Sequence, residues 1–246
     1  MMNSRAVPLR SWLLLQGKLS LGDDSHVRAA EVLLDRATAQ GLHLLLTDDP
    51  WFFRRQVESS WQQHPETDRP PYRMGVDPAF GDRPFLAIIG VNPELPMVLL
   101  STNAAMLHKH TSLSELIEEQ RLWSDWPRLD RRGIGSRLIT NFDRYETNDI
   151  VHCGAMWVTP SLRGRRSDGV PLAAHLAPLL RLCVSIEWPL GLIISTVADR
   201  RLTKTVSGRE AGEIVLTHAG QEERQALHVY DADDMRRCAE DVFMDA

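Results

Sequence analysis

Between residues 151 and 196 the hydrophobic pattern follows the order strand, turn, helix, strand. Residues 151–158 form an apolar run that ends before Pro160, and residues 161–169 are mainly polar and basic. From Pro171 onward the apolar residues recur at helical spacing, and residues 191–196 form a second short apolar run. The pattern therefore predicts two buried strands joined by a basic turn and a helix. Pro178 lies inside this helix and predicts a bend or break there.

The N-terminal part of the chain predicts two further helices and a strand. Ser25 stands at the start of a helical pattern, where it can serve as the N-cap, and Gly41 ends that pattern. Residues 42–47 predict a short buried strand. The Asp49-Pro50 dipeptide predicts the next helix, because a capping carboxylate followed by proline is typical of a helix start. The first 24 residues predict only one strand, at 11–15.

The middle of the chain predicts a hairpin between long connections. Residues 64–84 contain five prolines and predict a loop. Residues 85–89 and 97–100 predict two central strands of a hairpin. Residues 104–145 are predicted to be a helical insertion that begins with a helix capped by Ser112 and Glu115.

The insertion at 104–145 carries tryptophans and a cluster of arginines. Its basic residues are Arg128, Arg131, Arg132 and Arg137. One interpretation is a lid that binds an anionic ligand, because guanidinium groups bind carboxylates in bidentate fashion. The other is a packed excursion whose tryptophans fill a small core and whose arginines pair with nearby acidic residues. We favour the packed interpretation for the tryptophans.

The C-terminal part completes the domain. Residues 198–207 predict a short helix, residues 213–217 and 226–230 predict two strands, and Asp231 is predicted to cap a final helix that ends at Val242. Helices and strands in this order predict a single α/β domain over residues 1–246.

Composition and charge exclude some classes of protein. A length of 246 residues, 43% hydrophobic and 25% charged, is typical of a folded globular domain. The net charge of -5 and the pI of about 6.0 argue against a general nucleic-acid binder. The three cysteines, Cys153, Cys183 and Cys238, are far apart in sequence and predict a reduced cytoplasmic protein without a metal site. No apolar run reaches membrane-spanning length, so no membrane partner is expected.

The basic turn at 161–169 is a candidate binding site. A strand that leads through such a turn into a helix leaves backbone N–H groups at the helix start, where the helix dipole favours an anion. Arg163, Arg165 and Arg166 add positive charge beside these groups. The sequence therefore predicts a phosphate-bearing ligand, most simply a nucleotide-like cofactor. The alternative is a solvated turn that binds nothing.

This part of the chain resembles the acyl-CoA-binding core of the GNAT acyltransferase superfamily. The resemblance lies in Met156-Trp-Val-Thr-Pro160, followed by Arg163-Gly-Arg165, the apolar helix and the second strand. In that family the loop reads Arg or Gln, two residues, Gly, one residue, then Gly or Ala, and its amides hold the pyrophosphate of coenzyme A. The loop can be read from Arg163 or from Arg166. A similar glycine motif at 131–139 lacks a preceding strand, so we favour the later loop.

The resemblance implies a mixed, largely antiparallel central sheet flanked by helices. It also implies that the strands at 152–158 and 192–196 are neighbours that diverge at their C-terminal ends. The cofactor would be acetyl-CoA or another acyl-CoA, and the acceptor a small-molecule or peptide amine. The implied cofactor-binding residues are Met156, Val158, Arg163, Gly164, Arg165, Arg166, Ser167 and Gly169. Val158 would supply the backbone N–H that polarises the thioester carbonyl.

Acyl transfer also needs a base for the amine and an acid for the leaving thiolate. His152 is the candidate base, because an imidazole with a pKa of ~6.5 suits proton removal near neutrality. The family often places a tyrosine on the helix after the second core strand to protonate the thiolate, and residues 198–207 contain none. Tyr145 and Tyr230 are the alternative acids.

Two other functions fit the same residues. N-acyl amino acid synthases and acyl-homoserine lactone synthases share this architecture and use acyl carriers, which suits a loop with few glycines. A non-catalytic GNAT-like module would instead bind a partner protein or a ligand through the insertion. Nucleic acid is not expected as a partner, and the sequence leaves a homodimer open.

Overall fold

The computed structural model describes residues 6–19, 24–63, 83–118, 122, 134–140, 148–163, 166–167, 170–189, 191–197, 209–218 and 221–244. The strands in these ranges are β1 (Ala6–Pro8), β2 (His43–Thr47), β3 (Phe85–Val91), β4 (Leu99–Thr111), β5 (Ile134–Thr140), β6 (Asn148–Val158), β7 (Arg166–Ser167), β8 (Val170–Pro171), β9 (Leu192–Val197), β10 (Arg209–His218) and β11 (Gln221–Tyr230). The helices are α1 (Leu9–Leu19), α2 (Ser25–Ala39), α3 (Pro50–Gln63), α4 (Leu113–Glu118), α5 (Pro160–Arg163), α6 (Leu172–Glu187) and α7 (Ala232–Met244).

One large sheet organises the described part of the chain. Its strand order is β1-β2-β3-β4-β6-β9-β11-β10-β5, while β7 and β8 form a separate hairpin. Every neighbouring pair in the large sheet is antiparallel except β6 and β9, which run parallel. The predicted α/β class, with a largely antiparallel sheet flanked by helices, is therefore confirmed.

Helices cover both faces of the sheet. One face packs against α1, α2, α6 and α7, and the opposite face packs against α3 and α4. Successive residues of a strand point to opposite faces, so Leu86 of β3 joins the first core while Ala87 joins the second. On the second face Phe53 of α3 packs against Phe85, with ring centroids 5.5 Å apart.

Local capping residues begin several helices as predicted. The Asp49 carboxylate accepts hydrogen bonds from two backbone N–H groups at the start of α3, at 2.9 and 3.1 Å. Ser112 Oγ accepts one from the Glu115 N–H at 3.1 Å, and Asp231 Oδ1 accepts one from the Asp234 N–H at 2.9 Å. Each bond satisfies an N–H group that the helix itself leaves without a partner.

Two predictions for the N-terminal segment are wrong. Residues 11–15 belong to helix α1 and not to a strand, because Leu9 and Leu13 are buried one helical turn apart while the two leucines after Leu13 are exposed. Ser25 is the first residue of α2, and Asp24 holds the N-cap position without a side-chain capping bond.

The prediction of a helical insertion over residues 104–145 also needs correction. The chain as far as Thr111 continues β4, which pairs with β6 along that length, and residues 134–140 form β5 at the edge of the sheet beside β10. Within the described part of 104–145, only α4 is helical. Several predictions concern residues outside the described ranges: the tryptophans of the insertion, Arg128, Arg131, Arg132, most of the loop at 64–84 and the helix at 198–207.

Of the bend or break predicted at Pro178, the break does not occur, since α6 is continuous from Leu172 to Glu187, and the bend stays a prediction. This helix is the crossover that a parallel pair of strands requires, and its apolar side lies on the sheet. None of the described helices is long and apolar enough to cross a membrane.

A substitution at Gly212 would test the close pairing of β10 with β5. It lies at the bulge between β10 and β11 with a φ of 154°, and a Cβ there would lie 2.2 Å from the Ile139 carbonyl oxygen. Gly212→Ala should therefore lower the free energy of unfolding by about 2 kcal/mol. Urea denaturation measures this change.

The matched control is Gly17→Ala in α1, where a Cβ would make an ordinary contact of 3.6 Å with Val27 Cγ1. This substitution should leave the free energy of unfolding unchanged or raise it by up to about 1 kcal/mol, because alanine favours helix more than glycine does. Equal effects of the two substitutions would contradict the close β10–β5 contact.

Candidate functional site

The parallel strands β6 and β9 separate near the middle of the sheet. Their pairing extends from Ile150 opposite Leu192 to Cys153 opposite Ser195. Beyond this point β6 continues beside β4, and β9 continues beside β11. The prediction that these two strands are neighbours is confirmed, and their pairing ends before either strand does. We call the space between residues 154–158 and the end of β9 the strand gap.

The backbone of Val158 faces the strand gap. The Thr159 N–H donates to the Leu100 carbonyl of β4 at 2.8 Å. Because backbone groups alternate sides along an antiparallel ladder, the N–H and C=O of Val158 point away from β4. The Val158 carbonyl accepts a hydrogen bond from Arg163 Nε at 2.9 Å. The structure thus brings Val158 and Arg163 together beside the gap.

A bulge in β6 precedes Val158. Thr102 pairs with Trp157 and Ala104 pairs with Gly154, so the two intervening residues of β6 lie opposite Asn103 alone. These two residues are Ala155 and Met156. A bulge bends its strand and leaves an extra residue outside the ladder. Met156, a predicted cofactor-binding residue, is half-buried at this bend.

The basic turn after β6 is more structured than the open loop that the sequence predicted. Residues Pro160–Arg163 form the helical turn α5, and Arg166–Ser167 pairs with Val170–Pro171 as the hairpin β7–β8. The backbone of Arg166 and Ser167 therefore lies in a short ladder, while the side chains of Arg163 and Arg166 are exposed. The other predicted loop residues lie outside the described residues: Gly164, Arg165 and Gly169.

Helix α6 begins where this hairpin ends. Pro171 holds its N-cap position with a ψ of 147° and makes no side-chain capping bond. The first N–H groups of a helix need an acceptor, and the helix dipole makes an anion a favourable one. The helix start, Arg163 and Arg166 therefore form a basic end to the strand gap.

His152 is deeply buried on the face of the sheet that packs against α4. Its side chain is 1% exposed, and its Nδ1 lies 3.2 Å from the Leu122 carbonyl oxygen. Burial lowers the pKa of His152 to about 4, although the hydrogen bond to Leu122 opposes the shift. The imidazole is therefore neutral at pH 7 and a weak base, which does not favour the predicted catalytic role.

Tyr230 is also part of the core. It lies in β11 at 2% exposure, and the Arg181 guanidinium of α6 stands 4.4 Å from the centroid of its ring. Burial raises the pKa of Tyr230 to about 12, against the opposing effect of Arg181. The other candidate acid, Tyr145, lies outside the described residues.

Arg137 of the insertion is exposed on β5. Its guanidinium pairs with the Glu222 carboxylate of β11 at 3.2 Å. This contact agrees with the interpretation of the arginines as ion-paired, although the partner is not one of the acidic residues of the insertion. Among the residues that the structure describes, no group of three His, Cys, Asp or Glu side chains could hold a metal ion.

Asn103 and the bulge opposite it were missed in the sequence. Asn103 is 5% exposed and donates from Nδ2 to the Leu176 carbonyl of α6 at 3.1 Å. The signal for it was a polar triplet, 101–103, inside an otherwise apolar strand. Buried amides need a partner, so a buried asparagine in a strand indicates a specific contact across the core.

The chain was compared with protein families, curated proteins and solved structures. No protein-family model matches the chain, and no curated protein matches it at a significant level. Among solved structures it is similar to an acetyltransferase of the GNAT family from Streptococcus agalactiae, with a TM-score of 0.38 and 9% identity. The match covers 77% of this chain and 95% of that chain. A similarity of this size carries no inference about the site or the activity.

The lowered pKa of His152 predicts a pH dependence of stability. The unfolded histidine has a pKa of about 6.5, so stability is complete above that value and is lost as the pH falls from 6.5 toward 4. The loss from His152 between pH 7.5 and pH 5 should be about 2 kcal/mol. Urea denaturation at both pH values measures it.

His152→Gln removes the titration and keeps a donor for the Leu122 carbonyl, so this variant should lose less stability than the unmodified chain at pH 5. His43→Gln, a change of an exposed histidine, is the control and should retain the full pH dependence. An identical pH dependence in His152→Gln would show that His152 is not buried as a neutral group.

Proposed function

We propose that the strand gap binds an acyl-CoA and that the chain transfers the acyl group to an amine, as acyltransferases of the GNAT superfamily do. The observation that carries the proposal is the parallel pair β6–β9, whose pairing ends before the carboxyl ends of the strands, next to the start of the crossover helix α6. In α/β sheets, ligands bind beyond the carboxyl ends of parallel strands. A helix start beside arginines favours the phosphate groups of such a ligand.

The residues around the strand gap fit an acyl-CoA in two respects. The pyrophosphate would lie at the start of α6, where Pro171 leaves the first N–H groups without a side-chain cap, and Arg163 and Arg166 would supply positive charge. The pantetheine arm, an extended chain with amide groups, would run between β6 and β9. Met156 and Val158 would then line the thioester end.

The bound acyl-CoA would supply an activated thioester, and the chain would orient and polarise it. The Val158 N–H points into the strand gap, where it would donate a hydrogen bond to the carbonyl oxygen of the acyl group. A fixed backbone donor of this kind stabilises negative charge on that oxygen as an amine attacks. The acceptor would therefore approach from the open side of Val158.

A second candidate function is a non-catalytic acyl-CoA-binding module. The observation in its favour is the state of the titratable groups beside β6 and β9. His152 has a pKa of about 4, Tyr230 is buried with a raised pKa, and burial raises the pKa of the Cys153 thiol to about 12. None of these three groups can exchange a proton readily at pH 7. A bound ligand without turnover would fit this arrangement.

Calorimetric titration with acetyl-CoA tests the binding site. The unmodified chain should show saturable binding to a single site. Arg163→Glu combined with Arg166→Glu should weaken that binding more than about tenfold, or about 1.4 kcal/mol, because it replaces attraction of the phosphates with repulsion. The matched control is Arg131→Glu with Arg132→Glu in the other glycine motif, which should leave the affinity nearly unchanged.

The outcomes separate the candidate functions. The absence of saturable binding would refute an acyl-CoA site, and loss of binding only in the control pair would move the anion site to residues 131–139. Release of CoA with any of a panel of amines supports the enzyme, whereas tight binding without release supports the module. Tighter binding of long-chain acyl-CoA than of acetyl-CoA would favour a synthase that uses acyl carriers.

A further inference from the structure

Asn103 lies in β4, near the centre of the sheet, and only β6 separates it from the strand gap. Its side chain is 5% exposed and points to the face that α6 covers, because its β3 partner Ile88 belongs to the core on that face. Its Nδ2 donates to the Leu176 carbonyl of α6 at 3.1 Å. One buried side chain therefore links strand β4 directly to the crossover helix.

The same residue stands opposite the bulge in β6. Ala155 and Met156 share Asn103 as their single counterpart across the ladder, whereas the pairs on either side are one to one. The bulge begins two residues after Cys153, the last residue of β6 that pairs with β9. The hydrogen bond of Asn103 thus crosses from the strand that faces the bulge to the helix that covers the end of the gap.

The hydrogen bond meets α6 within the turn that Pro178 weakens. Pro178 has no N–H group, so one bond of the helical ladder is missing near Leu176. A donor from the sheet restrains this stretch from outside the helix. Leu176 is also only four residues after Leu172, the first residue of α6, so the restraint acts on the half of the helix that carries its start.

We propose that Asn103 is a positioning residue that sets the distance between the start of α6 and the bulge of β6. This inference rests on the proposed acyl-CoA site. A ligand held by phosphate at the helix start and by thioester at Val158 must span both elements at once. The affinity of such a spanning ligand therefore depends on the distance between the start of α6 and β6. The affinity of a ligand that contacts only the helix start does not depend on this distance.

Asn103→Leu removes the donor and keeps a side chain of similar size. It should raise the dissociation constant for acetyl-CoA at least about tenfold, because a small misplacement of a spanning site has a large effect on the bound geometry. The affinity for 3′-phospho-ADP, the nucleotide half of the cofactor without pantetheine, should change less than about twofold in the same calorimetric experiment. A purely structural role would change both affinities by the same factor.

Two further variants make the experiment decisive. Asn103→Asp keeps the shape but turns a carboxylate oxygen toward the Leu176 carbonyl, and it should reproduce the selective loss if the leucine variant does not fold. Thr140→Val is the matched control, because it removes a side-chain bond of 2.6 Å to the Ala211 carbonyl at the edge of the sheet. Its acetyl-CoA affinity should equal that of the unmodified chain.

Each result bears on a different statement. Unchanged acetyl-CoA binding in both Asn103 variants would overturn the positioning role and leave the proposed function intact. Equal losses for acetyl-CoA and 3′-phospho-ADP would also overturn it, by showing a general effect on the fold. If the unmodified chain binds neither ligand, the proposed function fails and this inference fails with it. A selective loss for acetyl-CoA supports both.

Discussion

The end of the β6–β9 pairing is the constraint on which the rest of the site depends. Buried backbone groups need hydrogen-bond partners, so strands that stop pairing must find other acceptors and donors. At the end of β6 this need is met by the chain that follows, because Arg163 donates to the Val158 carbonyl. The adjacent N–H of Thr159 remains bonded to β4. With these bonds, the last residues of β6 need no pairing with β9.

Helix α6 joins the two halves of the sheet across the strand gap. On the β4 side it receives the hydrogen bond of Asn103, and on the β11 side its Arg181 packs over the ring of Tyr230. Arg181 is 1% exposed, and a buried guanidinium is costly unless other groups compensate its charge. The aromatic face is one such group. Helix α6 is thus held to the sheet at two points, one on each side of the β6–β9 pair.

The chemistry of the site follows from the same burial. His152 and Tyr230, the two described candidates for proton transfer, are enclosed in the core, where their neutral forms are favoured. Among the described residues, the groups at the gap are the Val158 N–H, the start of α6 and the side chains of Arg163 and Arg166. In the proposed function these groups would bind and polarise an activated ligand, and none of them would shuttle a proton. The attacking amine of an acceptor would therefore have to release its proton to solvent.

The amino-acid sequence determined those features that depend on neighbouring residues. The succession β6, α6, β9, the β3–β4 hairpin and the caps at Asp49, Ser112 and Asp231 follow from apolar spacing and from side chains that reach their own backbone. These interactions act over a few residues, so a local pattern is enough to predict them. The basic turn was also visible, although its short helix and hairpin were not.

Tertiary structure decided the features that need a distant partner. The leucines of α1 are compatible with a strand or a helix when read alone, and packing against α2 selects the helix. Helix α6 remains continuous at Pro178, where its apolar side packs in the core. The bulge opposite Asn103 arises from the register between two strands that are about fifty residues apart. The hydrogen-bond partner of the buried His152 is the Leu122 carbonyl, which lies in a separate segment. A local sequence pattern does not predict such contacts, because strand register and burial depend on which distant segments pack together.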